Sequence, residues 1–400
     1  MEIGFGTNMT RINYRISFGY AFIHFSMEVL CFFFLYRVFS GSSIWWSIAF
    51  VYDAVAFAGQ VPVGAFCDKH PRFKPGIWGV ALLTAGAAIG SMAVSIGSTG
   101  AAAAGSGSDM ASGMGVAGFA ADHGIGSIAA IAAIAGFVIL SIGNALLHIS
   151  GALITLRVSE GRLSEPGIFV GGGAFGVITG RLLGSGSAPV WIPFALMAAA
   201  LIMVVLIDRS VDKAASIRAV MDADEISLPG FMCQHNIAAD RPAEVVIVVL
   251  AGVIMVRSYI SNGIPLQWKK TAFESVMLFV AMGAGKMAGG VLADIFGARR
   301  VGVLSCIIAV PLLLLGNNLM WISLAGVLLF SMTMAIALGG IVSVIRNDPG
   351  IAFGITTLAL FLGSVPIFFF PMPKGIIMNV LLALMSLLSA GGIYYTVKDS

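Results

Sequence analysis

Apolar runs of about 20 residues alternate with short polar breaks along the whole chain, and about 20 apolar residues in a helix cross roughly 30 Å of hydrocarbon. Twelve runs are legible, at 17–37, 44–66, 76–96, 126–156, 167–184, 188–208, 243–263, 272–292, 300–316, 319–344, 350–371 and 375–396. No stretch alternates apolar and polar side chains as a barrel strand does. A spanning segment must satisfy its own backbone hydrogen bonds, so each run is predicted to be a helix. The expected fold class is an all-α membrane protein of twelve transmembrane helices in two pseudo-symmetric six-helix halves. The longest polar break, 209–242, carries Asp212, Asp222, Asp224 and Glu225 and divides six runs from six. It reads as a cytoplasmic linker between an N-terminal half, 1–208, and a C-terminal half, 243–400. The break at 97–125 is low-complexity Gly, Ala and Ser; it has too little apolar surface to order itself strongly and predicts a mobile loop on the outer face.

An even number of spans puts both termini on one side. If that side is cytoplasmic, fifteen of the 22 Lys and Arg residues fall inside and four outside (Arg37, Lys269, Lys270 and Lys374), with Arg181, Arg257 and Lys286 within spans. This asymmetry predicts cytoplasmic termini in a plasma (inner) membrane. A chain 58% hydrophobic and 10% charged is no soluble globular domain, and its net charge of +3 reflects topology, with no nucleic-acid footprint. The basic residues before the first run suggest a signal peptide, but His24 and Glu28 lie within the run, so an uncleaved first span is expected. Cys31, Cys67, Cys233 and Cys306 are scattered, without a CxxC pair or metal spacing, and read as free thiols. No cofactor or metal is expected, and the chain is expected to act in the bilayer as a monomer.

Two breaks share a pattern. GAFCDKHPRFK at 64–74 follows the second run as GVLADIFGARR at 290–300 follows the eighth: Gly, three residues, Asp, then a basic cluster. Internal duplication of a six-helix unit is a transporter signature. These two stretches resemble the loop motif of the major facilitator superfamily of secondary transporters. The second copy is the closer match, with Gly290, Asp294, Gly297, Arg299 and Arg300. In the first, Gly64, Asp68, Lys69, Arg72 and Lys74 fit, while Pro71 stands where the family's second Gly is usual and Phe73 at a usually basic position. An Asp at the end of a span can face the amino-terminal dipole of a neighbouring helix or a nearby Arg, and such a contact latches the cytoplasmic ends together. Gly64 and Gly290 would permit the close approach. Small residues also recur every four positions, at Gly172, Gly176, Gly180 and Gly184 in span five and at Ala281, Gly285, Gly289 and Ala293 in span eight. The resemblance implies that these spans meet between the halves; ordinary packing within one half uses the same stripes.

Ionisable groups in hydrocarbon are costly and mark candidate function. His24 and Glu28 share one face of span one and are the candidate proton carriers, with Asp53 on a face of span two that continues through Gln60 and Gly64 to Asp68. Asn144 and His148 line span four, and Arg181, Arg257 and Lys286 place cations in spans five, seven and eight; these five are the candidate substrate ligands. Lys286 shares a face with Asp294, so neutralising the latch is its alternative role, and buried ion pairing is the alternative for the others.

The resemblance implies alternating access around a central site that binds a small-molecule substrate and a proton or other coupling ion. The cations predict an anionic or zwitterionic solute. Drug or amphipathic-compound efflux is the alternative, although the efflux branch carries a Gly-Pro element late in span five and 167–184 holds no proline. An intramembrane enzyme would need a His-Glu-x-x-His, Gly-x-Ser-x-Gly or phosphate-loop element, and Cys and His do not cluster along the chain. A membrane sensor would need a sizeable soluble output region.

Overall fold

Helices that are apolar on every face have no side to turn to water and must bundle or meet lipid. The computed structural model describes residues 3–104, 120–121, 126–221, 237–263 and 266–399. Among these, twelve helices are long and apolar enough to span a membrane. They are α1 (Ile3–Phe39), α2 (Trp45–Lys69), α3 (Pro75–Ala104), α4 (Ser127–Ser159), α5 (Ser164–Ser185), α6 (Trp191–Met221), α7 (Ala243–Gly263), α8 (Ala272–Phe296), α9 (Ala298–Leu315), α10 (Met320–Val344), α11 (Pro349–Phe369) and α12 (Gly375–Thr396). Three elements run well past their expected bounds, and helix α1 takes in residues 3–16 ahead of its expected start. Helix α3 takes in residues 97–104 of the expected loop, and α6 takes in 209–221 of the expected linker. Residues 105–119, 122–125 and 222–236, with Asp222, Asp224, Glu225 and Cys233, lie outside the described residues.

Helix α2 is interrupted by a π-helical turn, Ala54–Ala58, directly after Asp53. The wider turn holds about one extra residue and rotates the N-terminal part of the helix by roughly 100° relative to the C-terminal part. Asp53 is thereby taken off the face of Gln60, Gly64 and Asp68 that a regular helix would give it.

In the first half, α1 packs along α5 and α3 along α4; in the second, α8 packs on α10 and α9 on α12. The halves meet where α5 crosses α8 and where α2 crosses α11. The glycine stripes serve the halves rather than their interface. A Cβ at Gly172, Gly176, Gly180 or Gly184 would strike the α1 backbone at Ala21, Phe25, Val29 or Phe33, and one at Gly285 or Gly289 would strike α10 at Leu328 or Met332. The interface uses the adjoining stripe of α5, with Gly167 against Lys286 and Gly290, and Gly171 against Gly283 and Met287. One residue of offset turns a helix by about 100°, so α5 is small on two faces and is held between α1 and α8.

The segment just before α7 pairs with the end of α12: Ala239 N–H donates to the Thr396 carbonyl at 2.8 Å and Lys398 N–H to the Ile237 carbonyl at 2.8 Å. Both termini of the spanning bundle lie on one face, called here the terminal side.

Candidate functional site

On the terminal side, two helix starts lack caps of their own. Neither Leu163 before α5 nor Asp348 before α11 makes a side-chain cap, and the first N–H groups of a helix have no partner within it. The other half supplies one in each case. Asp68, at the end of α2, accepts from Gly350 N–H (2.9 Å) and Ile351 N–H (2.8 Å) of α11. Asp294, near the end of α8, accepts from Leu163 N–H (2.8 Å) and Ser164 N–H (2.9 Å) of α5. Both contacts are charge-assisted and sit at the positive end of a helix dipole. The glycines of the motif permit them: a Cβ at Gly64 would strike the Gly350 carbonyl, and one at Gly290 the Leu163 carbonyl.

Gly297 turns the chain from α8 into α9 at φ 95°, a region that favours glycine. Pro71 at the equivalent place is accommodated differently. The first loop folds as a turn over Pro71 and Arg72, closed by Phe73 N–H on the His70 carbonyl at 2.9 Å, and needs no positive φ. Its aspartate makes the same two bonds, so the departure in sequence leaves the clamp intact. Lys69 and Arg72 are exposed. Arg299 is committed elsewhere, donating to the Val397 carbonyl at 2.6 Å, and Arg300 pairs with Asp399 at 3.3 Å. Sequence reading overlooked Glu165, fully buried in the first turn of α5, where it pairs with Arg162 and accepts from Ser164 Oγ at 2.7 Å.

Deep in the first half, α1, α2 and α4 bring together residues distant in sequence. Glu28 Oε1 lies 3.7 Å from His24 Nε2 and 3.7 Å from His148 Nε2, and the two imidazoles meet edge to face at 4.5 Å. The other ring nitrogens are engaged by acceptors. His24 Nδ1 donates to the Phe169 carbonyl at 2.9 Å and His148 Nδ1 to Asn144 Oδ1 at 2.8 Å. With the hydrogens on Nδ1, a neutral ring at either histidine presents its Nε2 lone pair 3.7 Å from the carboxylate. Asn144 Nδ2 donates to Glu28 Oε1 (3.3 Å) and to Tyr52 Oη (3.0 Å), and Tyr52 donates to Glu28 Oε2 (3.3 Å). All five side chains are buried. Room for them comes from α5: a Cβ at Gly173 would strike the His24 ring, and one at Gly176 would lie 2.7 Å from Glu28 Cβ. Thus the histidines that do not cluster along the chain do cluster in space. Tyr52 was overlooked, although it precedes Asp53.

Of the three cations, Arg257 and Lys286 lie near each other and Arg181 stands apart. Arg257 of α7 is 3% exposed, and its Nε and Nη2 have no hydrogen-bond partner; Nη1 reaches only Met334 Sδ, at 3.7 Å. No carboxylate among the described residues pairs with it. Lys286 lies within electrostatic reach of Arg257 and Glu28 and makes no contact with Asp294, so it does not neutralise the clamp. Arg181 is toward the C-terminal end of α5 on the opposite side, its guanidinium 5.2 Å from the Tyr36 ring centre, away from the cluster. Asp53 is half-buried and close enough to Glu28 for their charges to interact. On that opposite side Arg37, expected only as an outer-face cation, closes the end of α5 by donating to the carbonyls of Gly184 (3.0 Å) and Gly186 (2.8 Å).

Two six-helix halves, clamped reciprocally at one membrane face around buried ionisable groups, define a major-facilitator-like fold. No protein-family model matches the chain, and no curated protein matches it. Solved structures do. The E. coli fucose:proton symporter FucP is similar at TM-score 0.59 and 13% identity, over 96% of this chain and 97% of that one. The E. coli xylose transporter XylE is similar at TM-score 0.51 in a partially occluded inward-open form (13% identity, 96% and 97% covered) and in an inward-open form (14% identity, 98% and 97% covered). At such identities the likeness is one of fold.

Proposed function

We propose that the protein is a secondary active transporter that moves a small anionic or zwitterionic solute by alternating access, driven by protons, with both termini in the cytoplasm. The observation that carries the reading is the reciprocal pair of aspartate clamps. Each half holds an uncapped helix start of the other, on one face alone among the described residues, and such contacts are made in one state of a rocking pair and broken in the other. The excess of Lys and Arg on the terminal side supports a cytoplasmic assignment for it. The buried Glu28 with its two histidines supports proton coupling, as does the likeness to a protein named as a proton symporter. Arg257 and Lys286 favour an anionic group over a neutral sugar, because a buried guanidinium without a carboxylate is stabilised by a ligand that brings one.

A thermal-shift screen of the purified protein against metabolite panels tests this, since a ligand that binds only the folded state raises its stability. Hits should concentrate among carboxylates, phosphates and zwitterions. They should be taken up by proteoliposomes under a pH gradient and lose their effect in Arg257→Ala. A cationic ligand, or equal shifts in that variant, overturns the substrate reading.

A further inference from the structure

The His24, Glu28 and His148 cluster has a property that proton coupling does not require. Three lone-pair donors, two imidazole nitrogens and one carboxylate oxygen, converge within 4.8 Å of one another in a buried site. Without something positive between them they repel. The two Nε2–Oε1 separations of 3.7 Å approach the spacing of about 3.4 Å between ligands at a tetrahedral zinc-like centre with metal–ligand bonds near 2.1 Å. Each imidazole is oriented by an Nδ1–H bond to a carbonyl oxygen, as outer-shell partners orient metal-bound histidines, and Glu28 is held in turn by Asn144 and Tyr52.

We propose that His24, Glu28 and His148 form a binding site for one divalent transition-metal ion of the zinc type, with a coordination position left open. Two imidazoles and a carboxylate suit Zn²⁺ or Co²⁺ and not the oxygen-seeking Mg²⁺ or Ca²⁺. Asp53 and, from the second half, Lys286 lie within electrostatic reach of Glu28. The inference goes beyond the transport reading and does not depend on it: ion and proton would use the same lone pairs and exclude each other.

Co²⁺ alone, titrated into the metal-stripped full-length protein in detergent, is the probe, read by visible d–d absorption and equilibrium dialysis. One ion per chain is expected to bind. His24→Gln, Glu28→Gln and His148→Gln should each weaken binding at least ~10-fold, no less than loss of an outer-shell partner does. His70→Gln, at an exposed histidine outside the cluster, should bind as the parent does. His148→Cys keeps a ligand and should add a sulfur-to-cobalt charge-transfer band, which also guards against variants that merely unfold. Absence of Co²⁺ binding by the parent, or binding that survives in both glutamine variants of the histidines, overturns the site. Uptake measured in chelator-treated vesicles separates the two readings. A parent that binds no Co²⁺ while Glu28→Gln loses pH-driven uptake removes the metal and keeps the proton; the reverse result keeps the metal and removes the proton.

Discussion

At the scale of single residues, Glu28 and Arg257 call for opposite experiments. Glutamine at position 28 keeps the shape and one of the two acceptors that Asn144 and Tyr52 donate to, but cannot exchange a proton. Glu28→Gln is expected to abolish accumulation driven by a pH gradient and to spare substrate exchange, in which no net proton moves. Gradient-driven uptake at the parent rate would transfer the coupling role, with Asp53 next in line. Arg257 carries a charge that no carboxylate among the described residues pairs with, at a desolvation cost on the order of several kcal/mol. Arg257→Met should therefore raise the melting temperature of the ligand-free protein while removing substrate affinity. Arg257→Lys keeps the charge, loses the planar fork and should weaken affinity by about 10- to 150-fold, the worth of one charge-assisted hydrogen bond. A lower melting temperature for Arg257→Met would mean that the arginine is a structural bridge after all.

At the scale of helices, α5 does two jobs on two faces, and substitutions should separate them. Gly176→Val thrusts a branched side chain against Phe25 and Glu28 of α1 and is expected to destabilise the first half by about 1–3 kcal/mol, read as a lower melting temperature. Gly171→Ala meets Gly283 and Met287 of the other half; it should slow transport with a smaller loss of melting temperature. Which face does which was not legible in the sequence, because a four-residue stripe states that a neighbour is close and not which neighbour it is. The twelve helices were legible, since run length and apolarity alone decide what can cross a bilayer. So were the clamps: an acid at the end of an apolar run has few partners available besides a helix start. The phase of Asp53 was hidden by a π turn that no apolar periodicity announces. The metal-like cluster was hidden because His148 joins His24 and Glu28 only after α4 packs beside α1. Glu165 escaped notice, and Arg37 was legible only as an outer-face cation, because each satisfies the end of a helix, where a charge looks like an ordinary flank.

At the scale of the whole molecule, the balance between its two states should rest on the pair of clamps. Each aspartate accepts two backbone N–H groups at the positive end of a helix, and hydrogen bonds to a charged group are worth about 1.5–3 kcal/mol each. Asparagine keeps one acceptor and loses the charge, so each substitution should weaken the closed terminal side by roughly one such bond. The two sites lie on different helix pairs and share no partner, so their effects should add to about 3–6 kcal/mol. Moving a population from 1:99 to 99:1 takes about 5.5 kcal/mol, so Asp68→Asn/Asp294→Asn should come close to inverting the preference. Arg72 and Asn347 are exposed on the two sides of the α2–α11 clamp. Spin labels on Arg72→Cys and Asn347→Cys should report one short distance in the otherwise unaltered protein, a partial second population with either single substitution, and a dominant longer distance with both. Transport should fall in the same order while membrane insertion is kept, because neither substitution alters the apolar length of a span. An unchanged distance distribution in the double variant, with full transport, would show that the clamps cap helices and do nothing more.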